Sequence, residues 1–482
     1  MKESTIQSKI INATKWSSLT EIVAKLITPI TNMVLARILV PEAFGVIATI
    51  TMIISFVDMF TDSGFQKYLV QHEFKDNKEK YESANVAFWA NFSLSLFFLV
   101  IIIIFRESIA TLVGNPGLGI VIAIASLQLP LTAFSSIQMA LYRREFDFKT
   151  LFLVRIVSIL IPFVITIPLA LLGFNYWALI IGTIAAQISN AIILTYKSKW
   201  KPKLYFNFGQ LKAMLSFSIW SLIEAISIWL TVWIDAFIIG TILNEFYLGL
   251  YKTSITMVNS IMGLVTAAVI PILFAALSRF QNDDKSFKQI YYKYQRIVAY
   301  IVIPMGLGIF IYSDFVTNIM LGSKWTEASD IIGIWALTSV LLVVTSNLNS
   351  EVYRSKGRPK LSFISQMIHL AFLIPTCLIS IQFGFWILVY SRALIRLQGM
   401  VTSFIIMKFI MKFPITETLK NLKKPVLFSI LMSGVAYLLM QLNDTTIWSF
   451  TSIGICILFY FGLIYLFSRE ELISIRKMIK RT

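Results

Sequence analysis

Ionisable side chains inside long apolar runs are the residues of this 482-residue sequence that could do chemistry. A charged group near the centre of a bilayer costs roughly 2.5 to 3.5 kcal/mol on insertion scales, so it faces a cavity or a partner. Arg392 and Arg396 lie four residues apart and carry like charge, so together they need an anion. That anion is either a carboxylate of a neighbouring helix, with Glu224 or Asp58 as candidates, or a diphosphate on a substrate, which guanidinium groups bind in a bidentate manner.

Two further cations could contact an anionic substrate. Lys25 follows Glu21 by four residues, so the two side chains share a helix face and either form an internal ion pair or separate when a substrate arrives. Arg155 lies just inside its apolar run and either contacts substrate or extends to the cytoplasmic headgroups. Lys25, Arg155, Arg392 and Arg396 are therefore the candidate substrate-binding residues.

Carboxylates within the membrane could couple transport to an ion gradient. Glu21, Glu224 and Asp235 each lie in an apolar run, where a carboxylate can exchange a proton or bind sodium. Each also has a structural alternative, and for Asp235 it is a pair with Lys252. We treat the three carboxylates as coupling candidates.

Metal, cofactor and nucleophile signatures are missing from the sequence. Cys377 and Cys456 stand in separate apolar runs, and His72 and His369 are the two histidines. No Gly-x-x-x-x-Gly-Lys-Ser/Thr segment occurs, so ATP hydrolysis by that motif is excluded. We expect no metal and no cofactor, and the sequence predicts a transporter rather than an enzyme.

Apolar runs long enough to span a bilayer recur along the whole chain. Hydrophobic residues make up 57% and charged residues 14% of the sequence, far from the composition of a soluble domain. The sequence therefore predicts an all-α integral membrane protein with about fourteen transmembrane helices. They are placed near 16–39, 44–64, 83–105, 118–142, 150–172, 176–196, 213–239, 246–277, 297–320, 328–351, 361–381, 384–407, 425–441 and 446–467.

The placement of basic residues explains the net charge of +17. Lys and Arg concentrate in alternate loops and in both termini, whereas the opposite set of loops contains only Arg106 and Lys324. Under the positive-inside rule this asymmetry predicts a multi-pass protein of the cell (inner) membrane with both termini cytoplasmic. Membrane lipids account for the charge, and nucleic acid is not an expected partner.

The sequence contains an internal repeat. Trp16-Ser17 recurs as Trp220-Ser221 and Gly45 recurs as Gly249, both at an offset of 204 residues. An even number of helices in each repeat predicts two parallel six-helix lobes around a central cavity, lined by the first, second, seventh and eighth helices. The lobes are 1–212 and 213–411, and 412–482 adds two C-terminal helices and a cytoplasmic tail.

The stretch 35–46, LARILVPEAFGV, resembles the first-hairpin signature of the polysaccharide exporters related to the Wzx O-antigen flippases. The second repeat has a corresponding stretch, 234–240, and the connecting loop contains 200–204. These exporters belong to the multidrug/oligosaccharidyl-lipid/polysaccharide flippase superfamily. Arg37, Asp235 and Lys252 occupy positions of these motifs.

This resemblance implies a transporter that flips an undecaprenyl-diphosphate-linked oligosaccharide from the cytoplasmic to the outer leaflet by alternating access, for surface polysaccharide biosynthesis. The lipid-linked oligosaccharide is the implied substrate, and a polysaccharide polymerase and glycosyltransferases are candidate partners. The alternative is a cation-coupled multidrug or small-molecule exporter of the same superfamily.

Overall fold

The computed structural model describes residues 2–61, 64–443 and 445–471. In this part of the chain every regular element is a helix, and fourteen helices are long and apolar enough to cross a membrane. The predicted fold class and number of spans are therefore confirmed, and the protein is a multi-pass membrane protein. Numbered in chain order, spans 1 to 14 are Asn12–Ile38, Pro41–Thr61, Asn77–Ile104, Gly119–Arg144, Phe148–Leu171, Tyr176–Lys197, Leu222–Ile242, Glu245–Arg279, Asp284–Ile311, Ala328–Ser355, Lys360–Phe383, Phe385–Ile410, Ile415–Met440 and Thr446–Phe467.

Several helices extend beyond the apolar runs that predicted them. The helix of span 7 begins at Phe208, and span 13 begins ten residues earlier than expected, at Ile415. The loops also contain short helices, Phe65–Gln71, Arg106–Leu112 and Ser313–Met320, that hydropathy did not predict. Hydropathy marks the part of a helix that meets lipid, whereas capping and tertiary packing set where the helix begins.

Aspartates cap the first turn of several helices. Asp76 accepts from the backbone N–H of Glu79 at the start of span 3, and Asp147 accepts from Thr150 at the start of span 5. At span 9, Asp283 accepts from the backbone of Ser286, and hydrogen bonds from Ser286 are the main cause of the lowered pKa of this exposed carboxyl. These carboxylates satisfy N–H groups that a helix start leaves without partners.

The chain forms two compact units, Met1–Lys252 and Thr253–Thr482, which divide within span 8. The predicted lobe boundaries at residues 212 and 411, and the arrangement of two lobes around a cavity, stay predictions. In unit 1, Val46, Ile50 and Ile54 of span 2 belong to one buried apolar cluster with Val121 and Ile122 of span 4. This cluster fixes span 2 against its neighbours.

The internal repeat is visible in helix ends and in backbone contacts within unit 1. The first helix ends at Ile38 and the seventh at Ile242, whereas the second begins at Pro41 and the eighth at Glu245, all at the offset found in the sequence. A Cβ on Gly45 would lie 1.8 Å from the carbonyl oxygen of Glu245, and one on Gly249 would lie 1.8 Å from that of Pro41. Gly45 therefore lies against the backbone at the start of span 8, and Gly249 lies in the equivalent way against the backbone at the start of span 2.

Hydrogen bonds between helices repeat as well. In unit 1, Gln138 of span 4 donates to Thr195 of span 6 at 2.9 Å, and the Tyr142 hydroxyl lies 3.4 Å from the carbonyl oxygen of Leu194. In unit 2, Asn349 of span 10 donates to Ser403 of span 12 at 2.7 Å, and the Tyr353 hydroxyl lies 3.4 Å from the Ser403 carbonyl oxygen. Spans 4 and 6 of one unit and spans 10 and 12 of the other are thus joined by equivalent bonds.

Unit 2 also contains the C-terminal pair of spans. Tyr460 of span 14 donates to the backbone carbonyl of Tyr300 in span 9 at 2.9 Å, and Phe428 and Met432 of span 13 complete a buried apolar cluster. Cys456 lies in this cluster as a free thiol. Spans 13 and 14 therefore pack on span 9 rather than forming a separate domain.

Candidate functional site

A cavity of about 420 Å³, lined by both polar and apolar side chains, lies in unit 1. It is bounded by the C-terminal end of span 2, the short helix Phe65–Gln71, spans 3 and 4, and span 7. Its lining combines one ammonium, two carboxylates, amides and hydroxyls with a few apolar side chains, so water or a polar ligand can occupy it. The lining residues are Asp58, Met59, Thr61, Gly64, Gln66, Lys67, Asn91, Thr132, Ala133, Ser136, Glu224, Ala225 and Ile228.

An ion pair lies at the wall of this cavity. The Lys67 ammonium is 3.7 Å from a carboxylate oxygen of Glu224, and the two side chains are 56% and 57% exposed. At 3.7 Å the contact is long for an ion pair, and neither side chain is enclosed by the protein, so the pair is loosely held. The pair therefore orients the two side chains but can be opened by a ligand.

The short helix Phe65–Gln71 positions Lys67. It begins after Gly64, whose φ of 93° is the left-handed conformation that glycine adopts without strain. Phe65 and Leu69 are buried in an apolar cluster with spans 3 and 4, and this burial leaves Lys67 and Gln66 on the cavity side. This short helix therefore places a cation at the cavity.

Two arginines at the end of span 4 form hydrogen bonds to the helix Phe65–Gln71 and to the residue that follows it. Arg144 donates to the carbonyl oxygens of Leu69 and His72 at 2.9 and 2.6 Å, which neutralises the carbonyl end of the helix. Arg143 donates to Gln66 at 2.8 Å. Burial, with a smaller effect from the Glu79 carboxylate, raises the pKa of Tyr68 on the same helix, so its hydroxyl stays protonated.

Glu224 is positioned by the packing of span 7 on span 2. Five residues further along span 7, the Trp229 indole N–H donates to the Ser55 hydroxyl at 3.1 Å, and its ring meets the Phe56 ring edge-on at 4.9 Å. These contacts fix the rotation of span 7 about its axis. Glu224, five residues before Trp229 on the same helix, lines the cavity that Asp58 of span 2 also lines.

Neutral polar groups form the rest of the wall. Asn91 of span 3 donates to the Ser136 hydroxyl of span 4 at 2.8 Å, and both side chains are buried at the cavity edge. Thr61 and Thr132 add hydroxyls from spans 2 and 4. The hydroxyls of Ser136 and Thr61 donate to the backbone carbonyls of Ala133 and Asp58, so these groups form a bonded, neutral part of the wall.

Arg392 and Arg396, predicted to bind an anion, are buried in unit 2 beside Trp335. The Arg396 guanidinium lies 3.9 Å from the centre of the Trp335 ring, and that of Arg392 lies 5.4 Å from it. Arg396 also donates to the hydroxyls of Thr338 and Ser339 at 3.0 and 2.9 Å. These contacts join spans 10 and 12, and a role in substrate binding stays a prediction for both arginines.

Asp235 and Lys252 lie at neighbouring ends of spans 7 and 8. The buried Asp235 carboxylate accepts a hydrogen bond from the Tyr251 hydroxyl at 2.7 Å. The Lys252 ammonium donates to the carbonyl oxygen of Val232 at 3.0 Å and lies 4.1 Å from the centre of the Trp233 ring. These contacts tie the end of span 7 to the start of span 8.

The remaining predicted residues lie on spans 1 and 5. Glu21 and Arg155 are exposed and Lys25 is half-buried, and their roles stay predictions. Of the seven predicted site residues, Glu224 is the one that lines the described cavity. This cavity lies against spans 2, 3, 4 and 7 of unit 1, and the predicted cavity between two lobes, lined by spans 1, 2, 7 and 8, stays a prediction.

Sequence reasoning missed Lys67, Asn91 and Ser136. In the sequence Lys67 stands in a basic loop, and the helix that directs its side chain to the cavity is too short for a sequence pattern to predict. Asn91 and Ser136 are neutral, so a search for charges in apolar runs passes over them. A polar residue in each of two apolar runs was the available signal, and it is a weak one.

Comparison with known proteins finds similarity to proteins of polysaccharide biosynthesis. It is 26% identical over 319 residues to the succinoglycan biosynthesis transport protein ExoT of Rhizobium meliloti (strain 1021), and the match covers 66% of this chain and 63% of that relative. It is 21% identical to the lipopolysaccharide biosynthesis protein WzxC of Escherichia coli (strain K12), over 78% of this chain and 76% of WzxC.

The fold has a solved counterpart. The structure of the lipid II flippase MurJ in an inward closed conformation superposes with a TM-score of 0.78 at 18% identity, covering 94% of this chain and 99% of MurJ. This likeness shows a shared fold. Residues 34–330, well over half of the chain, match the family model for polysaccharide biosynthesis proteins, and the chain therefore belongs to this family.

Proposed function

We propose that this protein flips a lipid-linked oligosaccharide, carried on undecaprenyl diphosphate, from the cytoplasmic to the outer leaflet for surface polysaccharide biosynthesis. The observation that carries the proposal is the cavity with charged side chains between membrane-spanning helices in a member of a polysaccharide biosynthesis family. A glycan and its diphosphate cannot cross hydrocarbon unaided, and such a cavity offers them a polar route.

The transport cycle that we propose is alternating access driven by an ion gradient or by the membrane potential. Glu224 is the leading coupling residue because it lies in the cavity and pairs with a cation, so a change in its charge is felt at the site. Glu21 and Asp235 remain further coupling candidates. The hydrogen bond from Tyr251 to Asp235 gives that carboxylate a structural role as well.

The finer features of the proposal come from the sequence. We propose the inner membrane as the location, cytoplasmic termini, two lobes at 1–212 and 213–411, and a polymerase and glycosyltransferases as partners. Lys25, Arg155, Arg392 and Arg396 are proposed as additional contacts for the anionic part of the substrate.

Reconstitution tests the proposal. Purified protein in liposomes should move a lipid-linked oligosaccharide to the leaflet where an added glycosidase can cleave its glycan, and protein-free liposomes should not. In cells that lack their own exporter of this family, expression should restore surface glycan and lower the inner-leaflet intermediate. Efflux of cationic dyes without any movement of the lipid-linked glycan would instead establish the multidrug alternative.

A further inference from the structure

Large apolar side chains are exposed in the segment that connects span 6 to the helix of span 7. Span 6 ends at Lys197 and the next helix begins at Phe208, and between them Leu204 is 92% exposed. Leu204 is the most exposed large apolar side chain of the described residues, and Phe208 is 79% exposed. The Phe206 ring, also exposed, meets the Phe208 ring edge-on at 5.1 Å. Apolar groups exposed together in this way indicate a surface that another molecule covers.

The linker, residues 198–207, is held against unit 1 by contacts on its inner side. Trp200 is buried in an apolar cluster of unit 1. The backbone N–H of Lys203 donates to Asn85 Oδ1 at 3.0 Å, and the Trp89 indole N–H donates to the carbonyl oxygen of Lys203 at 2.8 Å. The linker therefore presents its outward side chains in a fixed arrangement.

The bonds to span 3 give the depth of the linker in the bilayer. Asn85 precedes Ile104, the last residue of span 3, by a length of helix of about 28 Å. The hydrocarbon core of a bilayer is about 30 Å thick, so Asn85 lies near one boundary of the hydrocarbon when Ile104 lies near the other. Leu204 follows the residue that is bonded to Asn85, and it consequently lies at the depth where headgroups meet acyl chains.

Lysines accompany the exposed apolar side chains. Residues 196–215 contain five lysines and no carboxylate. Lys199, Lys201 and Lys203 alternate with buried or half-buried residues, and all three are exposed. Apolar side chains beside ammonium groups are typical of a segment that lies in the membrane interface, where acyl chains cover the first and phosphate groups bind the second.

We propose that the surface of this linker docks into the membrane interface and binds anionic phospholipid. The docking surface consists of the exposed side chains Lys199, Lys201, Lys203, Leu204, Phe206 and Phe208. Lipid is the occupant that fits, because the surface lies at the depth of the headgroups and its formal charge is entirely positive. Docking holds the connection between spans 6 and 7 at the membrane surface, and this role is separate from the cavity and from the proposed transport of a glycan.

The loop before span 3 offers a contrast within the same unit. Lys75 and Lys78 are exposed there, but residues 73–82 also contain four carboxylates, so the charge of this loop is mixed. Lys78 precedes Asn85 by seven residues on the helix of span 3, which places it about 10 Å further from the hydrocarbon. We therefore expect this loop to stay in water, and it supplies the control positions.

Contact with lipid is measured by a fluorescent label at position 204. Cys377 and Cys456 are both buried, so a Leu204→Cys variant of the full-length protein can be labelled selectively. In nanodiscs, a polarity-sensitive label in Leu204→Cys should emit at shorter wavelength than the same label in Lys78→Cys. Lipids brominated near the top of their acyl chains should quench the label at 204 about twofold or more beyond the label at 78. Equal quenching at the two positions would overturn the docking.

Preference for anionic lipid is measured with the same label at 204. Brominated phosphatidylglycerol and brominated phosphatidylcholine are compared at equal mole fraction, and phosphatidylglycerol should associate about three- to tenfold more strongly, since one lysine near an anionic surface contributes up to about fivefold. Lys199→Gln combined with Lys203→Gln should lower this preference to less than about twofold. The control, Lys75→Gln combined with Lys78→Gln, should keep it. Quenching without a preference, or an equal loss in both double variants, would overturn the binding of anionic lipid.

The variants leave the inner contacts of the linker in place. Lys201 is not replaced, because its ammonium donates to the carbonyl oxygen of Thr195, and the contacts of Lys203 with span 3 are made by its backbone. A second label position, Phe208→Cys, checks that the label at 204 does not itself alter the linker. It should show the same quenching and the same preference, and a label at 208 that lipid does not quench would overturn the docked orientation.

Discussion

Replacing Gly249 by alanine places a methyl group where the start of span 8 touches the start of span 2. The new Cβ would lie 1.8 Å from the carbonyl oxygen of Pro41 and 2.8 Å from the backbone nitrogen of Gly45. Both neighbours are backbone atoms, which cannot rotate away. Lengthening the contact between this Cβ and the Pro41 oxygen to 3.0 Å, which is still very short for a Cβ atom, requires the helices to separate by about 1.2 Å.

The expected free-energy change is the difference between two effects. Overpacking of this kind destabilises by about 1 to 3 kcal/mol, and alanine offsets up to about 1 kcal/mol of that through its better helix propensity. Gly249→Ala and Gly45→Ala should each lower the melting temperature of the purified protein. Because both contacts join the same two helices, one separation relieves both clashes, so the double variant should lose less stability than the sum of the single variants.

Gly263 of span 8 is the matched control, since a Cβ at that position meets nothing within 4 Å. Gly263→Ala should leave the melting temperature unchanged or raise it slightly. The measurement is thermal unfolding in one detergent, followed by tryptophan fluorescence. A melting temperature for Gly249→Ala that equals that of Gly263→Ala, or strict additivity in the double variant, would refute the reciprocal backbone contact.

Three further outcomes are expected. Arg396→Gln should lower the melting temperature and the membrane abundance of the protein, because it removes the stack on Trp335 and two hydrogen bonds to hydroxyl groups. Loss of surface glycan at normal protein abundance would instead assign Arg396 to substrate binding. Tyr142→Phe and Tyr353→Phe each lose one equivalent hydrogen bond between spans, so both should destabilise by about 1 kcal/mol or less in thermal unfolding, and a large effect in one alone would contradict the equivalence. Reporter fusions after Thr482 should be cytoplasmic and reporters near Gly322 external, and an external C-terminus would contradict the positive-inside assignment.

The number and type of the spans could be predicted because bilayer thickness fixes the length of an apolar run. Helix starts could not be predicted in the same way, since they depend on groups outside the apolar run. Span 3 begins at Asn77 because Asp76 caps it, six residues before the predicted start. The helix that contains span 7 likewise begins at Phe208, after the cap formed by Asn207. Local capping therefore adds turns that hydropathy alone does not indicate.

The cavity was harder to predict because one residue of its ion pair lies in an apolar run and the other lies in a basic loop. Glu224 is conspicuous as a carboxylate in an apolar run, and its presence in the cavity could be anticipated. Lys67 is inconspicuous as one basic residue in a basic loop. Its role depends on a seven-residue helix whose direction is set by Gly64, by buried Phe65 and by the arginine at its end. None of these influences has a period that a sequence pattern could reveal.

Positions at which the two copies of the repeat differ indicate functional sites better than the positions that the copies share. The shared positions, such as Gly45 and Gly249, are the ones that build the scaffold in both copies. At the same offset, Asp235 and Tyr251 correspond to Thr31 and Ile47, so the carboxylate and its hydroxyl donor occur together in one copy only. Glu224 likewise corresponds to Thr20, and its partner Lys67 comes from a loop helix outside the matched spans. A charged residue that occurs in one copy of the repeat is not needed for the packing that both copies share. We therefore expect the functional groups of such repeat transporters to concentrate at positions where the two copies differ.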